Sequence, residues 1–311
     1  MPAGTLCGMA TFTLRSRGAF SLQESALFGF GQRMRPGGVG ARDPGFDGVM
    51  RLAFCVDGDY EAQVGVEVRQ DDDGVHGVVH GEADSAVVER QVARMLSLDH
   101  DATDYDRVGG RDPVIARLQA AAPGLRPPLF HSPYEAAAWA VLSARRGSWQ
   151  MDQVRTELGR AHGRVFELAG AEVAALPTPS ALLRLTGFDG VEEARLERIH
   201  GVARAAAEGL LDAAALRAMD PQEAMTAVQR IKGIGPFYAA LVVIRATGVT
   251  DVLPANEPKA LELAGRLYGD GSPLSVERFT QVAEAWRPWR TWCTVLLRSA
   301  GSRLPAASAA D

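Results

Sequence analysis

The feature that most constrains the fold of this chain is a pair of glycines inside a helical pattern, in the tripeptide Gly233-Ile234-Gly235. A short helical segment precedes this tripeptide, and a longer helix with clear periodicity follows it. Two glycines allow a tight turn whose backbone is not covered by side chains. The segment therefore predicts a hairpin of two helices. The predicted apolar face of the second helix consists of Phe237, Ala240, Leu241 and Ile244.

The start of the second helix is a candidate site for an anion. Its first N–H groups have no helical acceptor, and the positive end of the helix dipole favours a phosphate there. Lys232 and Arg245 lie close by in sequence and add positive charge. A Gly-x-Gly turn alone is weak evidence, because such turns also join helices that only pack together.

The first third of the chain has a different pattern, in which apolar residues alternate with polar ones. Three strands are predicted around residues 52–56, 64–68 and 75–79, with a turn at 71–74 before the third strand. A helix is predicted at 86–96, and the polar stretch 99–110 indicates a domain boundary. We therefore predict an N-terminal antiparallel β domain with a flanking helix at residues 1–106.

Residues 107–300 have helical periodicity, which makes the predicted fold class α+β with an all-helical second domain. Ser132 is a predicted helix N-cap, Pro133 suits the first turn, and Glu135 stands where a capping box has its acid. Residues 301–311 are small and polar, and we expect a flexible tail. The predicted apolar helix faces are Tyr134, Ala137, Ala138, Val141 and Leu142, then Ile199, Val202, Ala203 and Ala206, then Trp289, Cys293, Leu296 and Leu297.

The net charge of −5 argues weakly against a polyanionic partner, but this charge is unevenly distributed. Residues 1–106 contain 9 basic and 17 acidic residues, whereas residues 107–311 contain 24 basic and 21 acidic residues. Local basic clusters matter more for such binding than the total charge. A polyanion is therefore expected to bind the second part of the chain.

The number and spacing of the cysteines and histidines limit which metal sites and disulfides the chain can form. Cys7, Cys55 and Cys293 are odd in number and far apart, and the 6 histidines show no metal-ligand spacing. No disulfide framework, zinc site or iron–sulfur site is predicted. No run approaches the roughly 18 to 20 apolar residues that span a bilayer, and the N-terminus lacks a basic start followed by an apolar stretch. A cytoplasmic protein without membrane contact is expected.

Several motifs resemble the helix-hairpin-helix DNA glycosylases, and in particular their 3-methyladenine DNA glycosylase II branch. The family pattern is Gly-hydrophobic-Gly, an Ala four residues on, here Ala239, and then an apolar helix. Downstream, the branch reads Asp, two residues, Pro, Ala, one residue and the catalytic Asp. The sequence Asp251-Val252-Leu253-Pro254-Ala255-Asn256-Glu257 follows this frame, with Glu257 at the catalytic position.

The resemblance extends over most of the chain. Residues 123–146 resemble the family's first helices, and residues 283–300 resemble its Trp-Arg-Pro-Trp-Arg ending. The N-terminal strands are similar to the β domain that this branch carries. The resemblance thus implies domains at 1–106 and 107–300, with an active-site cleft between helical subdomains.

The function that the resemblance implies is excision of alkylated purines in base excision repair. A monomer would bind double-stranded DNA that contains a damaged base, flip that base out and hydrolyse its N-glycosidic bond without a cofactor. The implied DNA-binding hairpin consists of Lys232, Gly233, Ile234, Gly235 and Arg245. Carbonyl groups of this hairpin are also candidate ligands for a monovalent cation.

Glu257 is the pivotal residue of this hypothesis. Cleavage of the N-glycosidic bond builds positive charge on the sugar, which a carboxylate stabilises while water attacks. Glu is one methylene longer than Asp and is a poorer N-cap, so Asn256 is the expected cap, with Pro258 in the first turn. Two alternatives stay open: a DNA-binding protein with altered or lost catalysis, and a helical cleft for a small molecule or protein partner.

Aromatic and basic residues complete the predicted site. Phe237 stands where lyase-competent relatives carry a Lys that attacks the sugar, so a monofunctional enzyme is expected. Aromatic rings suit a pocket that stacks a flipped cationic base, although each is also a plausible core residue. Relatives have a Gln-Gln-Ile-like stretch that fills the gap left by the base where this chain has residues 143–150. The candidate pocket and wedge residues are Phe237, Tyr238, Trp139, Arg145, Arg146 and Trp149, and a solvated basic turn is the alternative for the two arginines.

Overall fold

The computed structural model describes residues 10–28 and 46–305. The N-terminal part consists of β1 (Ala10–Leu14), α1 (Leu22–Phe28), β2 (Met50–Cys55), β3 (Gln63–Asp71), β4 (Gly74–His80) and α2 (Ser85–Met95). The four strands form an antiparallel sheet in the order β1-β4-β3-β2. The predicted strands, the turn at 71–74 and the helix are confirmed, and β1 is an additional edge strand that the alternation did not indicate.

The second part is mainly helical. Its helices are α3 (Pro113–Ala121), α4 (Pro133–Ser143), α5 (Ser148–His162), α6 (Pro179–Leu183), α7 (Glu193–Ala207), α8 (Ala213–Ala218), α9 (Pro221–Val228), α10 (Pro236–Ala246), α11 (Pro258–Tyr268), α12 (Val276–Ala283) and α13 (Arg290–Ala300). The predicted α+β fold class is confirmed. Residues 301–303, expected to begin the tail, form a 3-10 turn whose Arg303 pairs with Glu24 at 2.8 Å, and residues 306–311 lie outside the described part.

A β hairpin inside the helical part was not predicted. It consists of β5 (Val165–Leu168) and β6 (Ala171–Ala174), and it packs on the outer face of the N-terminal sheet. Gly65 makes this contact possible, because a Cβ there would lie 2.8 Å from the Phe166 ring. Both faces of β2 are consequently buried around Ala53 and Phe54.

Helix α4 begins as predicted, but Glu135 does not complete a capping box. The Ser132 hydroxyl accepts a hydrogen bond from the Glu135 N–H at 3.1 Å. The Glu135 carboxylate instead contacts His131 Nδ1 at 2.9 Å and the Cys55 N–H at 3.4 Å. This buried acid therefore joins strand β2 to helix α4.

Two helical cores lie behind the candidate site. The first combines α4, α6–α10 and the N-terminal residues Cys55 and Tyr60. The second combines residues 102–125 with α11–α13 and includes Trp286, Trp289 and Trp292. Residues 247–257 lead from α10 in the first core to α11 in the second, so the glycine hairpin and Glu257 belong to different helical subdomains.

Candidate active site and hairpin interface

The glycine hairpin forms between α9 and α10. Gly233 has a φ of +98°, a left-handed conformation that favours glycine. Ile234 is buried in the first core and anchors the turn. Gly235 is the N-cap of α10, and a Cβ there would meet nothing within 4 Å. The first turn of α10 therefore presents an uncovered backbone to its surroundings, as an anion site requires.

The charges around this hairpin differ from those predicted. Lys232 is 71% exposed, and its Nζ lies 3.2 Å from Glu197 Oε1. Arg198 packs beside Gly233, since a Cβ on Gly233 would lie 2.9 Å from Arg198 Cδ. Arg245 donates to the carbonyl of Pro128 at 2.8 Å, at the opposite end of α10 and about 15 Å along the helix from Gly235. The prediction that Arg245 belongs to the hairpin is wrong.

The predicted apolar face of α10 also needs correction. Of the predicted face, Ile244 is buried, Ala240 and Leu241 are half-buried, and Phe237 is 63% exposed. The other buried residues of α10 are Ala239, Val242, Val243 and Ala246. Phe237 packs edge-on against the half-buried Tyr238, with ring centroids 5.3 Å apart and an interplanar angle of 78°. An exposed ring at the first turn of this helix is available to stack on a ligand.

The segment from Asp251 to Glu257 is held to the start of α13. Arg290 donates from Nε to Asp251 Oδ1 at 2.7 Å, and Arg287 donates from Nη1 to Asp251 Oδ2 at 2.8 Å. Thr291 exchanges hydrogen bonds with the backbone of Val252 at 3.0 and 2.7 Å. The segment that carries Glu257 is thus fixed by residues of the Trp-Arg-Pro-Trp-Arg motif.

Glu257 is itself the N-cap of α11. Its Oε2 accepts a hydrogen bond from the Ala260 N–H at 2.6 Å, and Pro258 occupies the first turn as expected. The prediction that Asn256 caps the helix is wrong. The Glu257 carboxylate accepts from the N–H three residues on, which satisfies one of the unpaired amides of the first turn.

Arg298 is a neighbour of Glu257 that the sequence did not indicate. Its Nε lies 3.4 Å from Glu257 Oε2, and the Glu257 side chain is 20% exposed. In the described ranges 10–28 and 46–305, Glu257 Oε1 accepts no hydrogen bond, and the cation paired with this carboxylate is Arg298. One oxygen of the carboxylate is therefore held in place, and the other is left for a ligand.

The predicted wedge lies in the turn between α4 and α5. Ala144 has φ and ψ of −55° and 118°, Arg145 has a φ of +57°, and the Arg146 N–H donates to the Ser143 carbonyl at 3.1 Å. These values describe a type II turn with Arg145 at its third position. Arg146 is drawn back to α7 by an ion pair with Glu192.

Arg195 of α7 holds this turn and was also missed. Its Nη1 donates to the carbonyls of Val141 and Leu142 at 2.5 and 2.7 Å, and its Nη2 donates to Ala144 at 3.2 Å. Burial lowers the pKa of Arg195, and the nearby charges of Arg146 and Arg198 act in the same direction. A long-range cap of this kind has no local signature in the sequence.

The two remaining aromatic candidates occupy different positions. Trp139 is half-buried in α4, and Trp149 is exposed in the first turn of α5. The aromatic contact recorded within the predicted pocket set is that of Phe237 with Tyr238. The roles predicted for the catalytic, hairpin, pocket and wedge residues stay predictions.

The described residues contain neither a cluster of metal ligands nor a membrane-spanning helix. Over residues 10–28 and 46–305, no group of three or more His, Cys, Asp or Glu side chains is arranged to hold a metal ion. Within those limits, every helix is too short or too polar to cross a bilayer. Cys55 and Cys293 are buried free thiols, and Cys7 lies outside the described residues.

Two curated proteins are similar to this chain in sequence. A probable bifunctional transcriptional activator/DNA repair enzyme AlkA from Mycobacterium tuberculosis is 29% identical over 205 residues, which are 65% of this chain and 40% of that protein. A DNA-3-methyladenine glycosylase from Bacillus subtilis is 23% identical over 212 residues, 67% of this chain and 70% of that protein. The chain thus spans two fifths of the length of the mycobacterial relative. No family model matches it.

Among solved structures, the 3-methyladenine DNA-glycosylase from Archaeoglobus fulgidus has a similar fold. Its TM-score is 0.73 at 23% sequence identity, and the match covers 94% of this chain and 98% of that one. This likeness extends through both the N-terminal sheet and the helical part. The predicted α+β fold class and the resemblance to the helix-hairpin-helix glycosylase superfamily are confirmed, and the domain bounds stay predictions.

Proposed function

We propose that this chain, which has the fold of the helix-hairpin-helix DNA glycosylases, is a monofunctional DNA glycosylase that removes alkylated purines from duplex DNA. The observation that carries the proposal is the state of the Glu257 carboxylate. Oε2 is held by the Ala260 N–H at 2.6 Å and by Arg298 at 3.4 Å, while Oε1 accepts no hydrogen bond from the described residues. An acid held in this way is preorganised to act on a bound substrate.

DNA would be gripped at the hairpin. The uncovered backbone at Gly235 and the dipole of α10 suit a phosphate, and Lys232 adds a nearby positive charge. This contact reads no base sequence, which suits an enzyme that must search long stretches of DNA. The flipped base would stack on the exposed ring of Phe237, and a cationic alkylated purine is favoured over such a ring.

Hydrolysis follows from the charge of Glu257. The bond between C1′ and the base nitrogen breaks, and its electron pair leaves with the base, which neutralises the alkylated purine. The carboxylate stabilises the positive charge that develops on the sugar, a water oxygen bonds to C1′, and the proton of that water passes to the carboxylate. Phe237 has no amine to form a Schiff base, so the products are a free base and an intact abasic strand.

Base release from methylated duplex DNA tests this proposal. The unaltered chain should release free methylated purine, and Glu257→Gln should reduce the rate by at least about a hundredfold, since a preorganised charge is removed. Glu262→Gln is the matched control, because Glu262 lies on the same helix and pairs with Lys259 on the surface. Glu257→Asp should retain release.

The alternatives predict other outcomes. Duplex binding that depends on salt, without base release by the unaltered chain, would favour a DNA-binding protein without this chemistry. Release by Glu257→Asp but not by the unaltered chain would show an intact scaffold that has lost this activity. The absence of duplex binding at about physiological salt would favour a different partner in the helical cleft.

A further inference from the structure

A recess of about 610 Å³ lies beside the first helical core. It is lined by the last part of α7, by α8 and by residues 230–232, which lead from α9 into the glycine hairpin. Ala205, Leu210 and Ile231 form its apolar part, and Met219, which also lines it, is 40% exposed. An exposed methionine is an adaptable contact surface, and a recess of this volume has room for a ligand.

The charged residues of the recess are mainly basic. Arg204, Arg230 and Lys232 line it together with one acid, Glu208, although the whole chain has a net charge of −5. Arg204 and Arg230 are exposed. Within residues 10–28 and 46–305, the guanidinium groups of these two arginines form no hydrogen bond and no ion pair. The recess therefore favours an acidic ligand.

Gly201 keeps the recess open. It lies in the middle of α7, where glycine destabilises a helix by roughly 0.5 to 1 kcal/mol relative to alanine. A Cβ at Gly201 would meet nothing within 4 Å, so helix packing does not require a glycine there. Gly159 of α5 differs, since a Cβ at that position would lie 2.9 Å from the Ala175 carbonyl oxygen. The space in front of Gly201 is therefore available to another molecule.

The recess extends away from the proposed DNA contact. Near the start of α7, Arg195 donates to carbonyls at the end of α4, and Arg198 packs beside Gly233 of the hairpin. Arg204 lies nine residues after Arg195, which places it about 13 Å further along the helix. The recess thus begins beside the hairpin at Lys232 and continues along α7 toward its C-terminal end.

The backbone at the recess provides hydrogen-bond acceptors. Helix α8 ends at Ala218, and the carbonyls of residues 216–218 accept no hydrogen bond from the described residues. A phosphate group only accepts hydrogen bonds and cannot pair with these carbonyls. A peptide offers N–H donors for the carbonyls as well as carboxylates for the arginines. A peptide is therefore a better match to the recess than a nucleic acid.

We infer that the recess binds an acidic segment of a partner protein. An apolar side chain of this segment lies against Gly201, and its carboxylates pair with Arg204 and Arg230. The inference does not depend on the activity of Glu257, so this site and the proposed function can be tested separately.

Selection from a display library of random short peptides tests the inference. The unaltered chain is the bait, and Gly201→Leu serves for counter-selection because the leucine side chain fills the recess. This variant should unfold at an unchanged or higher temperature, since leucine favours a helix more than glycine does. Peptides that bind only the unaltered chain should be rich in Asp and Glu and should contain a large apolar residue. Failure to find peptides that distinguish the two proteins, or a selected set without enrichment of acids, would overturn the inference.

Single substitutions then locate the contacts of the most enriched peptide, labelled with fluorescein and followed by fluorescence anisotropy. Arg204→Glu and Arg230→Glu should each weaken binding at least about fivefold at low salt, because a repulsive charge replaces an attractive one. Arg160→Glu is the matched control, since Arg160 is exposed on α5 and pairs with Glu157 outside the recess. Equal affinities for the control and the two recess variants would contradict the inference.

Duplex DNA is the competing ligand that these arginines could also hold. A labelled duplex should bind Arg204→Glu and Arg230→Glu as well as it binds Arg160→Glu, and it should not displace the peptide. A larger loss of duplex affinity in the recess variants, together with displacement of the peptide, would assign the recess to the DNA interface and overturn the inference.

The glycosylase activity is measured independently of the peptide. Glu257→Gln should bind the peptide as the unaltered chain does, and Gly201→Leu should release methylated purines at an unaltered rate. Peptide binding without base release by the unaltered chain supports the recess and contradicts the proposed function. Base release by a chain that selects no acidic peptide supports the proposed function and contradicts the recess.

Discussion

Arg290 joins two motifs that are 39 residues apart in the chain, because its guanidinium binds the Asp251 carboxylate through Nε at 2.7 Å and through Nη2 at 3.2 Å. Asp251 begins the segment that ends at Glu257, and Arg290 ends the Trp-Arg-Pro-Trp-Arg motif. The same Nη2 donates to the Asp251 carbonyl at 2.7 Å. The position of the candidate catalytic acid therefore depends on a contact with the last long helix.

Replacement of Arg290 tests this dependence. Arg290→Gln should lower the free energy of unfolding by about 1 to 3 kcal/mol, because a largely buried carboxylate loses charged hydrogen bonds. It should also lower kcat more than it raises KM, since the segment before Glu257 loosens. Urea unfolding and steady-state base release measure the two effects. Arg287→Gln is the control, since the more exposed Arg287 should contribute less to stability than Arg290. Equal losses for both variants would contradict the proposed role of Arg290.

Arg298 is expected to keep the Glu257 carboxylate oriented. Arg298→Ala removes the contact at 3.4 Å and should reduce kcat roughly fivefold, which corresponds to about 1 kcal/mol for a partly exposed pair. Arg298→Lys should recover part of this loss, because a positive charge is kept. Single-turnover base release is the measurement. A kcat for Arg298→Ala equal to that of the unaltered chain would show that the N-cap alone positions Glu257.

The two glycines of the hairpin are predicted to differ in role. Gly233→Ala should destabilise the protein by about 1 to 2 kcal/mol, because its φ of +98° disfavours a Cβ and Arg198 lies in the way. Gly235→Ala should leave stability nearly unchanged, since nothing lies within 4 Å, but should weaken duplex binding by covering the backbone. Thermal unfolding and binding at one fixed salt concentration distinguish them. Full duplex affinity in Gly235→Ala would argue against a phosphate at this position.

His100 makes stability depend on pH. Burial lowers the pKa of this imidazole below its ordinary value of 6.5, with a further lowering from Arg217 and an opposing effect of Asp99. His100 Nε2 also lies 2.8 Å from the Gly248 carbonyl, at the start of the segment that leads to Glu257. The folded state therefore binds the proton more weakly than the unfolded chain does. The free energy of unfolding is consequently highest above the ordinary pKa of His100, and it decreases as the pH falls below that value.

The unfolding temperature should therefore fall between about pH 7 and about pH 5.5, before most carboxylates titrate. His100→Gln keeps a donor for Gly248 but cannot titrate, so its unfolding temperature should fall less over the same interval. Parallel declines in the two proteins would assign the pH dependence to other groups.

Local chemistry in the sequence determined much of the architecture. The N-cap at Ser132, the strands of the N-terminal sheet and the Gly-x-Gly turn each depend on residues a few positions apart. Periodicity and turn chemistry report such short-range preferences well. The motif from Asp251 to Glu257 also located the candidate catalytic acid at the start of a helix, where it lies.

Tertiary structure alone decided which side chains meet. Strand β1 pairs with β4, and the β5-β6 hairpin covers the sheet because Gly65 leaves space for Phe166. In the folded protein, Arg245 binds the Pro128 carbonyl and does not lie at the hairpin, and Phe237 is exposed. These contacts join residues that are distant in the chain, and their energies depend on burial and geometry that no local pattern records.

At the candidate site, too, the sequence decided some features and the tertiary structure decided others. The sequence identified Glu257 as an acid at the right position in the motif, with Asn256 as the expected cap. The folded chain decided that Glu257 caps α11 itself and that Arg298 lies beside it. A carboxylate's hydrogen-bond partners depend on the distance between helices in space, and that distance is set by the packing of the two helical cores.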